Sequence, residues 1–314
     1  AAKGLVERAG VSGPRCVGHV REATLGVVDV GEFLGLEATH NPHRWYLPVA
    51  PGLATLGRFL FGGAGLGAAI LALERTTGRP LVWATAQYLS YAMIDEIMDL
   101  DVTIPAAGRH TAQARVVGRV GDRETLTVNA ALGQRDLDDT GQWTVMPEVP
   151  GPNECEVRES TGGLGTSIMS RIESRLAVGH QWDRLNGDPA PGGRAAMWVR
   201  LRDVEPSAAS LAVLGDYVPW GISQAFGSWT RSNSLDNTLR VVRVVPTEWV
   251  LLDVRIQAVH NGFGHGDVYQ WSEDGTLMGI ASQSAIVREV SEPTPGRLPP
   301  WMEKELKGVR GVTP

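Results

Sequence analysis

Residues 232–289 read SNSLDNTLRVVRVVPTEWVLLDVRIQAVHNGFGHGDVYQWSEDGTLMGIASQSAIVRE, and this stretch divides into strand-length runs separated by Gly, Pro and Asn. Trp249 to Val259 alternates between two faces, which is typical of a half-buried strand. Leu277 to Arg288 is mostly apolar on both faces, so we expect a central strand that is covered on both sides. Gln283 is the single large polar side chain on its face of that strand. Because a buried amide without a partner costs about 1–3 kcal/mol, we expect Gln283 to form specific hydrogen bonds.

The composition indicates a globular protein with room for two domains. The chain has 314 residues, of which 43% are hydrophobic and 20% charged. Its net charge of −6 argues against a nucleic-acid partner, which would require a basic surface. Cys16 and Cys155 form neither a metal pattern nor a disulfide framework, as expected in a reducing cytoplasm. No apolar run reaches the roughly 18 residues of a membrane span, and no signal-peptide layout is present. We therefore expect a soluble cytoplasmic protein without a metal.

A glycine-rich helix is predicted in the first half, where residues 58–78 read RFLFGGAGLGAAILALERTTG. Ala, Leu, Glu and Arg favour a helix, and Gly78 stands where its C-terminus is expected. The glycines at its beginning lower helix stability but allow another backbone to approach closely. A phosphate-binding loop is excluded because no Gly-Lys-Ser/Thr follows. The downstream strands do not alternate with helices, which also excludes a dinucleotide-binding fold.

The second half repeats the plan of the first, which is strand, helix and antiparallel meander. A helix is predicted over residues 205–218 and is expected to be ended or kinked by Pro219. The sequence EIMDLDV at 96–102 resembles EWVLLDV at 248–254. Strands are expected on both sides of a turn at Asn41-Pro42. This order predicts an α+β protein with five segments. They are a peripheral extension (1–30), a first domain (31–145), a linker rich in Pro and Gly (146–166), a second domain (167–290) and a peripheral tail (291–314).

Several of these stretches resemble the type II acyl-CoA thioesterase family. The resemblance is carried by LDNTLRVVR, EWVLL, the Gly-rich turn before an acidic Asp-Gly hairpin, the closing strand with Gln283, and FGGAGLGAA at the first helix. Members of that family carry two hotdog domains in one chain, each a helix wrapped by an antiparallel sheet. The resemblance implies a double hotdog whose sheets join into one. It also implies hydrolysis of a fatty or related acyl-CoA to the free acid and coenzyme A, in fatty acid metabolism. No cofactor is implied, since coenzyme A belongs to the substrate.

The family's active site implies a set of catalytic residues here. An Asp, a Ser or Thr and a Gln hold the attacking water in that family, and the resemblance puts the acid on Asp236 and the amide on Gln283. Gln257 stands where the Ser or Thr is expected, which is a departure from the family pattern. We expect one active site per chain, because the first half lacks the acid.

Further candidates come from the same comparison. His260 and Asn261 follow Gln257 and could replace the missing hydroxyl, and Asp216 is a second candidate for the acid. An Asp beside a Gly and near a Pro also fits local capping. In the family, backbone N–H groups at a helix N-terminus polarise the carbonyl, which here implies Gly62 and Gly63.

Two arginines could bind the phosphates of coenzyme A, namely Arg240 and Arg243, although exposed arginines on strands are usually only solvated. A tandem copy supplies the sheet partner that a single hotdog domain finds by dimerisation, and the sequence leaves a homodimer open.

Two alternative functions remain open. A non-catalytic acyl-CoA-binding protein is consistent with Gln257 in place of a hydroxyl residue. An acyl-CoA hydratase or dehydratase is disfavoured because no Asp-x-Asn-Pro-Leu-His-like motif is present. A serine-hydrolase thioesterase is not indicated, because the chain has no Gly-x-Ser-x-Gly.

Overall fold

The fold is described by a computed structural model that covers residues 28–158, 166–293 and 296–304. Its helices are α1 (Val30–Leu34), α2 (Gly62–Thr77), α3 (Ala208–Leu214) and α4 (Val218–Phe226). The strands of the first half are β1 (Glu37–Ala38), β2 (Arg44–Pro48), β3 (Leu81–Tyr88), β4 (Ile97–Ala107), β5 (Thr111–Val120) and β6 (Arg123–Gly133). Those of the second half are β7 (Glu156–Val157), β8 (Ile172–Val178), β9 (Arg194–Leu201), β10 (Thr230–Ser234), β11 (Asp236–Val241), β12 (Val250–His260), β13 (Phe263–Ser272) and β14 (Leu277–Val290). In the described residues, no helix is both long and apolar enough to cross a membrane.

All fourteen strands belong to one sheet, whose neighbouring strands are antiparallel. The order is β1-β2-β4-β5-β6-β3 in the first half and β11-β14-β13-β12-β9-β8-β7 in the second, and β10 also pairs with β14. The halves meet where β3 pairs with β11, with Asp236 opposite Gln87 and Arg240 opposite Trp83. The hydroxyls of Thr85 and Thr238 lie 2.7 Å apart across this junction. The predicted double hotdog, with its two sheets joined into one, is confirmed.

Helix α2 is the central helix of the first half, as predicted. It ends at Gly78, which adopts a left-handed φ of 66°. Leu66, Ile70 and Leu73 are fully buried against the surrounding sheet. A Cβ atom at Gly63 would lie 2.8 Å from a backbone oxygen of α3, and one at Gly67 would meet another at the same distance. The glycines therefore allow the close approach that the sequence predicts, and the approaching element is helix α3 of the second half.

The helical segment of the second half is broken into two pieces, which corrects the prediction of one helix over 205–218. Helix α3 begins after Ser207, whose side chain accepts a hydrogen bond from the Ser210 N–H, and it ends at Leu214. Pro219 then lies in the first turn of α4, where its missing N–H removes no helical hydrogen bond. Pro219 therefore begins a second helix. The short link between the two helices contains Asp216.

A second local difference lies at the start of the first half. Residues 30–34 form helix α1 where a strand is predicted, because Asp29 caps the helix by accepting from the Gly31 N–H. Gly35 ends it in a left-handed conformation with φ of 66°. The predicted peripheral extension over 1–30 lies mostly outside the described residues.

The outer face of the second half is covered by the segment that connects the two halves. Strand β6 ends at Gly133, and residues 134–155 then run without helix or strand. The side chain of Gln142 accepts a hydrogen bond from the Leu277 N–H and donates one to the Gly275 carbonyl. Met146 and Val149 pack on an apolar cluster formed by Ala196, Trp198, Trp249, Leu251, Trp271 and Leu277. Both faces of the first part of β12 are therefore buried, although its sequence predicts one exposed face.

Part of the C-terminal tail packs back onto the second half. The indole N–H of Trp301 donates to the Ser291 hydroxyl at 3.0 Å, and Met302 is buried. These two residues are therefore integrated into the fold, whereas the sequence predicts a peripheral tail.

Candidate active site

A cavity of about 530 Å³ lies between the two halves. The first half contributes a mainly apolar wall of Phe59, Leu60, Phe61, Leu89, Tyr91, Met98 and Leu126. The second half contributes polar and charged residues, including Asp216, Ser232, Asn233, Ser234 and Arg288. Arg158, which directly follows β7, lines the cavity beside Trp220. The cavity therefore has an apolar side and a cationic side, with Asp216 on its surface.

Asp216, Gln283 and Ser234 form a hydrogen-bonded cluster at this cavity. The Gln283 Nε2 atom donates to Asp216 Oδ1 at 2.5 Å and to Ser234 Oγ at 3.0 Å. Ser234 Oγ also lies 3.5 Å from Asp216 Oδ1. Asp216 is 7% exposed and Gln283 is 3% exposed. An acid, an amide and a hydroxyl thus converge on one point, which is an arrangement that can hold and deprotonate a water molecule.

The break between α3 and α4 positions Asp216 in this cluster. The Gln283 Oε1 atom accepts from the Val218 N–H at the first turn of α4, at 3.0 Å. Gln270, which is fully buried, donates to the Leu211 carbonyl of α3 at 2.7 Å. The Gln283 amide thus supplies a partner for an N–H group at the start of α4, where the helix itself offers none, and the Gln270 amide adds a second bond to a carbonyl that also accepts from the Gly215 N–H. The hydrogen bonds expected of Gln283 are therefore present.

The first half also holds the Asp216 carboxylate. The Gly63 N–H, in the first turn of α2, donates to Asp216 Oδ2 at 2.7 Å. The positive end of the helix dipole favours an anion at this position. Burial raises the pKa of Asp216 above its usual 3.8, while hydrogen bonds from Gln283, Gly63 and Ser234 act in the opposite direction. Asp216 is thus a carboxylate in a largely dry site, held by groups from both halves.

Asp236 lies outside this cluster, and the predicted pairing of Asp236 with Gln283 is not formed. In β11, Asn237 and Leu239 are buried on the face that points toward the helices, whereas Asp236 lies on the opposite face. Its Oδ1 atom accepts from the Ser284 N–H at 2.7 Å. Asp236 therefore acts as a backbone cap between neighbouring strands, and the acid at the cavity is Asp216.

The residues predicted near the missing hydroxyl are also absent from the cavity lining. Gln257 is exposed and donates to Asp267 Oδ2 at 2.7 Å. His260 and Asn261 are exposed at the turn between β12 and β13. The hydroxyl in the cluster belongs to Ser234, which the sequence reasoning missed because it placed the hydroxyl position on β12. Ser234 precedes Asp236 by two residues, so an alignment anchored on the serine of Ser-Leu-Asp could have found it.

Gly62 and Tyr88 line the cavity beside the cluster. Gly62 is the first residue of α2, as expected for a backbone donor near the reacting group. Tyr88 ends strand β3, and sequence reasoning gave it no role. No signal in the sequence separates Tyr88 from a core tyrosine.

The arginines at the cavity differ from the predicted pair. Arg240 and Arg243 are exposed and absent from the cavity lining, because Arg240 lies near the C-terminal end of β11 and Arg243 follows that end. Arg158 and Arg288 line the cavity instead. The Arg158 guanidinium lies 5.4 Å from the centre of the Trp220 ring, and it has no acidic partner among the described residues. No group of three or more His, Cys, Asp or Glu residues that could hold a metal occurs in the described ranges.

The comparisons with known proteins agree with this fold. The acyl-CoA thioesterase C-terminal domain family matches residues 152–287. A crystal structure from Novosphingobium aromaticivorans, of a protein to which thioesterase activity has been attributed, is 32% identical with a TM-score of 0.72. The alignment covers 81% of this chain and 98% of that one. No match to this sequence is found among curated proteins.

More distant structures share the fold. The acyl-CoA thioesterase II TesB2 of Mycobacterium marinum is 18% identical with a TM-score of 0.66, covering 84% of this chain and 99% of the other. A hot dog protein of unknown function from Alicyclobacillus acidocaldarius is 17% identical with a TM-score of 0.72, covering 82% and 96%.

The fold and the site define a double hotdog protein with an acid, an amide and a hydroxyl at the junction of its halves. The chain belongs to the type II acyl-CoA thioesterase-like family. This membership supports a thioester hydrolase that acts on an acyl-CoA.

Proposed function

We propose that the chain hydrolyses acyl-CoA thioesters with a water molecule held by Asp216, Ser234 and Gln283. The observation that carries this proposal is the Asp216 carboxylate, which is buried at an apolar cavity and hydrogen-bonded by Gln283 and by the Gly63 N–H. A buried carboxylate with this set of donors can remain ionised and accept a proton.

The reaction follows from these positions. Asp216 takes a proton from the water, and the water oxygen bonds to the thioester carbonyl carbon to give a tetrahedral intermediate. The carbon–sulfur bond then breaks, and the coenzyme A thiolate leaves and receives the proton from Asp216. The products are the free acid and coenzyme A. Gln283 and Ser234 orient the water, which brings it close to the carbonyl in a defined direction.

The shape of the cavity favours a fatty or related acyl group. The acyl chain would lie against the apolar wall of the first half, where Met98 and Leu126 line the cavity. The coenzyme A portion of the bound substrate would extend past Trp220 toward Arg158 and Arg288, whose charges favour phosphate groups.

Two alternatives are weighed against this function. The non-catalytic binding protein was suggested by Gln257, but Gln257 lies outside the cavity and Ser234 supplies a hydroxyl to the cluster. The hydratase alternative gains no support from the site, because the acid at the cavity is paired with Gln283 and not with a histidine.

A thiol-release assay across a series of acyl-CoA chain lengths tests the proposal. We expect steady release of coenzyme A with at least one chain length, together with release of the matching free acid. Tight binding of acyl-CoA without thiol release would favour the binding protein. Loss of an enoyl-CoA absorbance without thiol release would favour the hydratase.

Removing the charge of Arg158 is expected to weaken coenzyme A binding. Because Arg158 has no acidic partner among the described residues, Arg158→Gln removes a cation that is available to a phosphate. A charge-assisted hydrogen bond contributes about 1.5–3 kcal/mol, so KM for acyl-CoA should rise about tenfold or more while kcat changes little. Arg240→Gln, which changes an exposed arginine outside the cavity, is the matched control. Equal effects of the two substitutions on KM would contradict this role.

A further inference from the structure

One of the two predicted backbone donors to the thioester oxygen is already engaged. The Gly63 N–H donates to Asp216 Oδ2 at 2.7 Å, and it therefore holds the base. Thioester hydrolysis develops negative charge on the carbonyl oxygen, and a fixed donor at that oxygen is usually one of the largest contributions to the rate. The Gly62 N–H is the other predicted donor, and a side-chain donor close to it would add to the stabilisation of that oxygen.

The Tyr88 hydroxyl has the properties of such a donor. Tyr88 lines the cavity from the first half, and its hydroxyl oxygen is buried without a hydrogen-bond partner among the described residues. A buried hydroxyl without a partner destabilises the folded chain, so its presence calls for an explanation. Burial raises the pKa of Tyr88 well above its usual value, and the Asp216 carboxylate adds to this effect. The phenol therefore keeps its proton at neutral pH and can donate it in a hydrogen bond.

Gly62, which has no side chain, allows this hydroxyl and the base to approach the same point of the helix start. A Cβ atom at Gly62 would lie 2.8 Å from Asp216 Oδ2 and 2.9 Å from the Tyr88 hydroxyl oxygen. Both oxygens are thus within 2.9 Å of one point, and they are less than about 6 Å apart. A substrate carbonyl that is attacked by a water on the carboxylate therefore lies within reach of the phenol. Gly62, Tyr88 and Asp216 all line the cavity that would receive the substrate.

We propose that the Tyr88 hydroxyl donates a hydrogen bond to the thioester carbonyl oxygen, which lies against Gly62 opposite Asp216. This assignment rests on the proposed function and makes the first half a source of a catalytic residue. During the attack, the carbonyl π electrons move to the oxygen, which Tyr88 stabilises without transferring its proton. The electrons return when the carbon–sulfur bond breaks.

Asn237 is the residue that positions this phenol. Its side chain is 1% exposed, and neither polar atom of its amide has a hydrogen-bond partner among the described residues. The Asn237 amide lies close to the Tyr88 hydroxyl and partly offsets the increase in the pKa of Tyr88. The amide and the hydroxyl do not form a well-aligned hydrogen bond. The amide N–H₂ group can donate to the phenol oxygen, which would direct the phenol hydrogen toward the substrate.

Tyr88→Phe is expected to lower kcat by about 100-fold, the usual effect of removing one donor to the oxyanion, with KM nearly unchanged. The matched control is Tyr269→Phe. Tyr269 is stacked on Trp271 and is absent from the cavity lining, so its hydroxyl should be dispensable. Equal rates for Tyr88→Phe and the wild type would overturn the assignment.

A binding measurement separates a donor from a residue that only shapes the cavity. Two coenzyme A derivatives serve as probes, namely a trifluoromethyl ketone, whose hydrate resembles the tetrahedral intermediate, and an alkyl thioether without a carbonyl. We expect Tyr88→Phe to weaken binding of the ketone by tenfold or more and binding of the thioether by less than about threefold. Equal weakening of both probes, or of neither, would overturn the proposal.

Gly62→Ala provides a second and independent variant. Its Cβ atom would lie 2.8 Å from Asp216 Oδ2 and 2.9 Å from the Tyr88 hydroxyl oxygen, so these atoms would have to move apart. We therefore expect the substitution to weaken binding of the ketone more than binding of the thioether, as Tyr88→Phe does. If the wild type releases no thiol from any acyl-CoA, the proposed hydrolysis fails. The comparison of ketone with thioether would still decide whether Tyr88 binds a carbonyl oxygen. An unchanged preference for the ketone in both variants would show that it does not.

Discussion

Asp216→Asn is expected to lower kcat for acyl-CoA hydrolysis by about 10²–10⁴-fold, the range attributed to a general base. The substitution keeps the size of the side chain but removes its ability to take a proton from water. Binding of a non-hydrolysable acyl-CoA analogue should remain nearly unchanged, because the cavity walls are not altered. Thiol release and isothermal titration on the same protein preparation measure the two quantities.

The dependence of kcat on pH provides a second test of the same residue. Burial raises the pKa of Asp216 above 3.8, and only its ionised form accepts a proton. The rate should therefore fall as the pH falls through this raised value, at a higher pH than for an exposed aspartate. An acid limb centred at or below 3.8 would contradict a buried base.

Stability should change little in Asp216→Asn. Because the folded-state pKa is raised, the ionised carboxylate destabilises the folded chain at neutral pH, and folding gains stability on acidification through that pKa. The neutral amide removes this cost, but it can accept only one of the bonds from Gly63 and Gln283. These effects oppose each other, and we expect Tm to stay within about 4 °C of the wild type.

Asp236→Asn is the matched control. The asparagine oxygen can still accept from the Ser284 N–H, so activity should remain within about twofold of the wild type. Loss of turnover in Asp236→Asn with normal turnover in Asp216→Asn would show that the catalytic acid is Asp236, the residue that the sequence favours.

Gly63→Ala is expected to lower the free energy of unfolding by about 1–3 kcal/mol, and also to reduce activity. The new Cβ atom would lie 2.8 Å from the Ala212 carbonyl oxygen and 2.9 Å from both the Val213 carbonyl oxygen and the Asp216 Cβ atom. Backbone atoms cannot move aside as a side chain can, so helices α2 and α3 must separate. Asp216 would move with them and lose its short bond to the Gly63 N–H. Urea unfolding and kcat measure the two effects.

Gly67→Ala separates stability from catalysis. Its Cβ atom would meet the Ala209 carbonyl oxygen at 2.8 Å, one helical turn farther from the site. We expect a similar loss of unfolding free energy but a smaller loss of kcat than in Gly63→Ala. If both variants lose kcat equally, the spacing of helices α2 and α3 accounts for the loss, and the bond from the Gly63 N–H to Asp216 has no separate effect. If neither loses stability, the helices are not in close contact.

Much of the fold could be predicted from local patterns. The helix-forming residues from Ala68 onward and the final Gly78 indicate helix α2, period-2 alternation indicates β12, and a run that is apolar on both faces indicates β14. Gln283 was identified because a large amide on an apolar strand needs partners, and the structure supplies them. These features depend on residues that are close in sequence, so one sequence suffices to find them.

The acid could not be chosen in the same way. Asp216 and Asp236 both stand beside turns, and the sequence alone does not show which one faces the helix layer. The deciding contact joins Asp216 to Gly63, which is 153 residues away, through a backbone N–H that no side-chain motif marks. The helix break that carries Asp216 depends on Gln270 and Gln283 from distant strands. Pro219 indicates that break, but a proline is equally compatible with the end of one helix or the start of another.

The junction of β3 with β11 has an evolutionary consequence. In a symmetric homodimer, each substitution occurs in both subunits. A substitution that improves a contact at one site therefore also changes the symmetry-related site. Here the pairing surface lies within one polypeptide, and each side mutates independently. Selection can therefore keep Gly63 as a partner for Asp216 without requiring a second, symmetry-related contact of the same kind. A gene that encodes both halves can thus specialise one as the carrier of the acid and the other as its support.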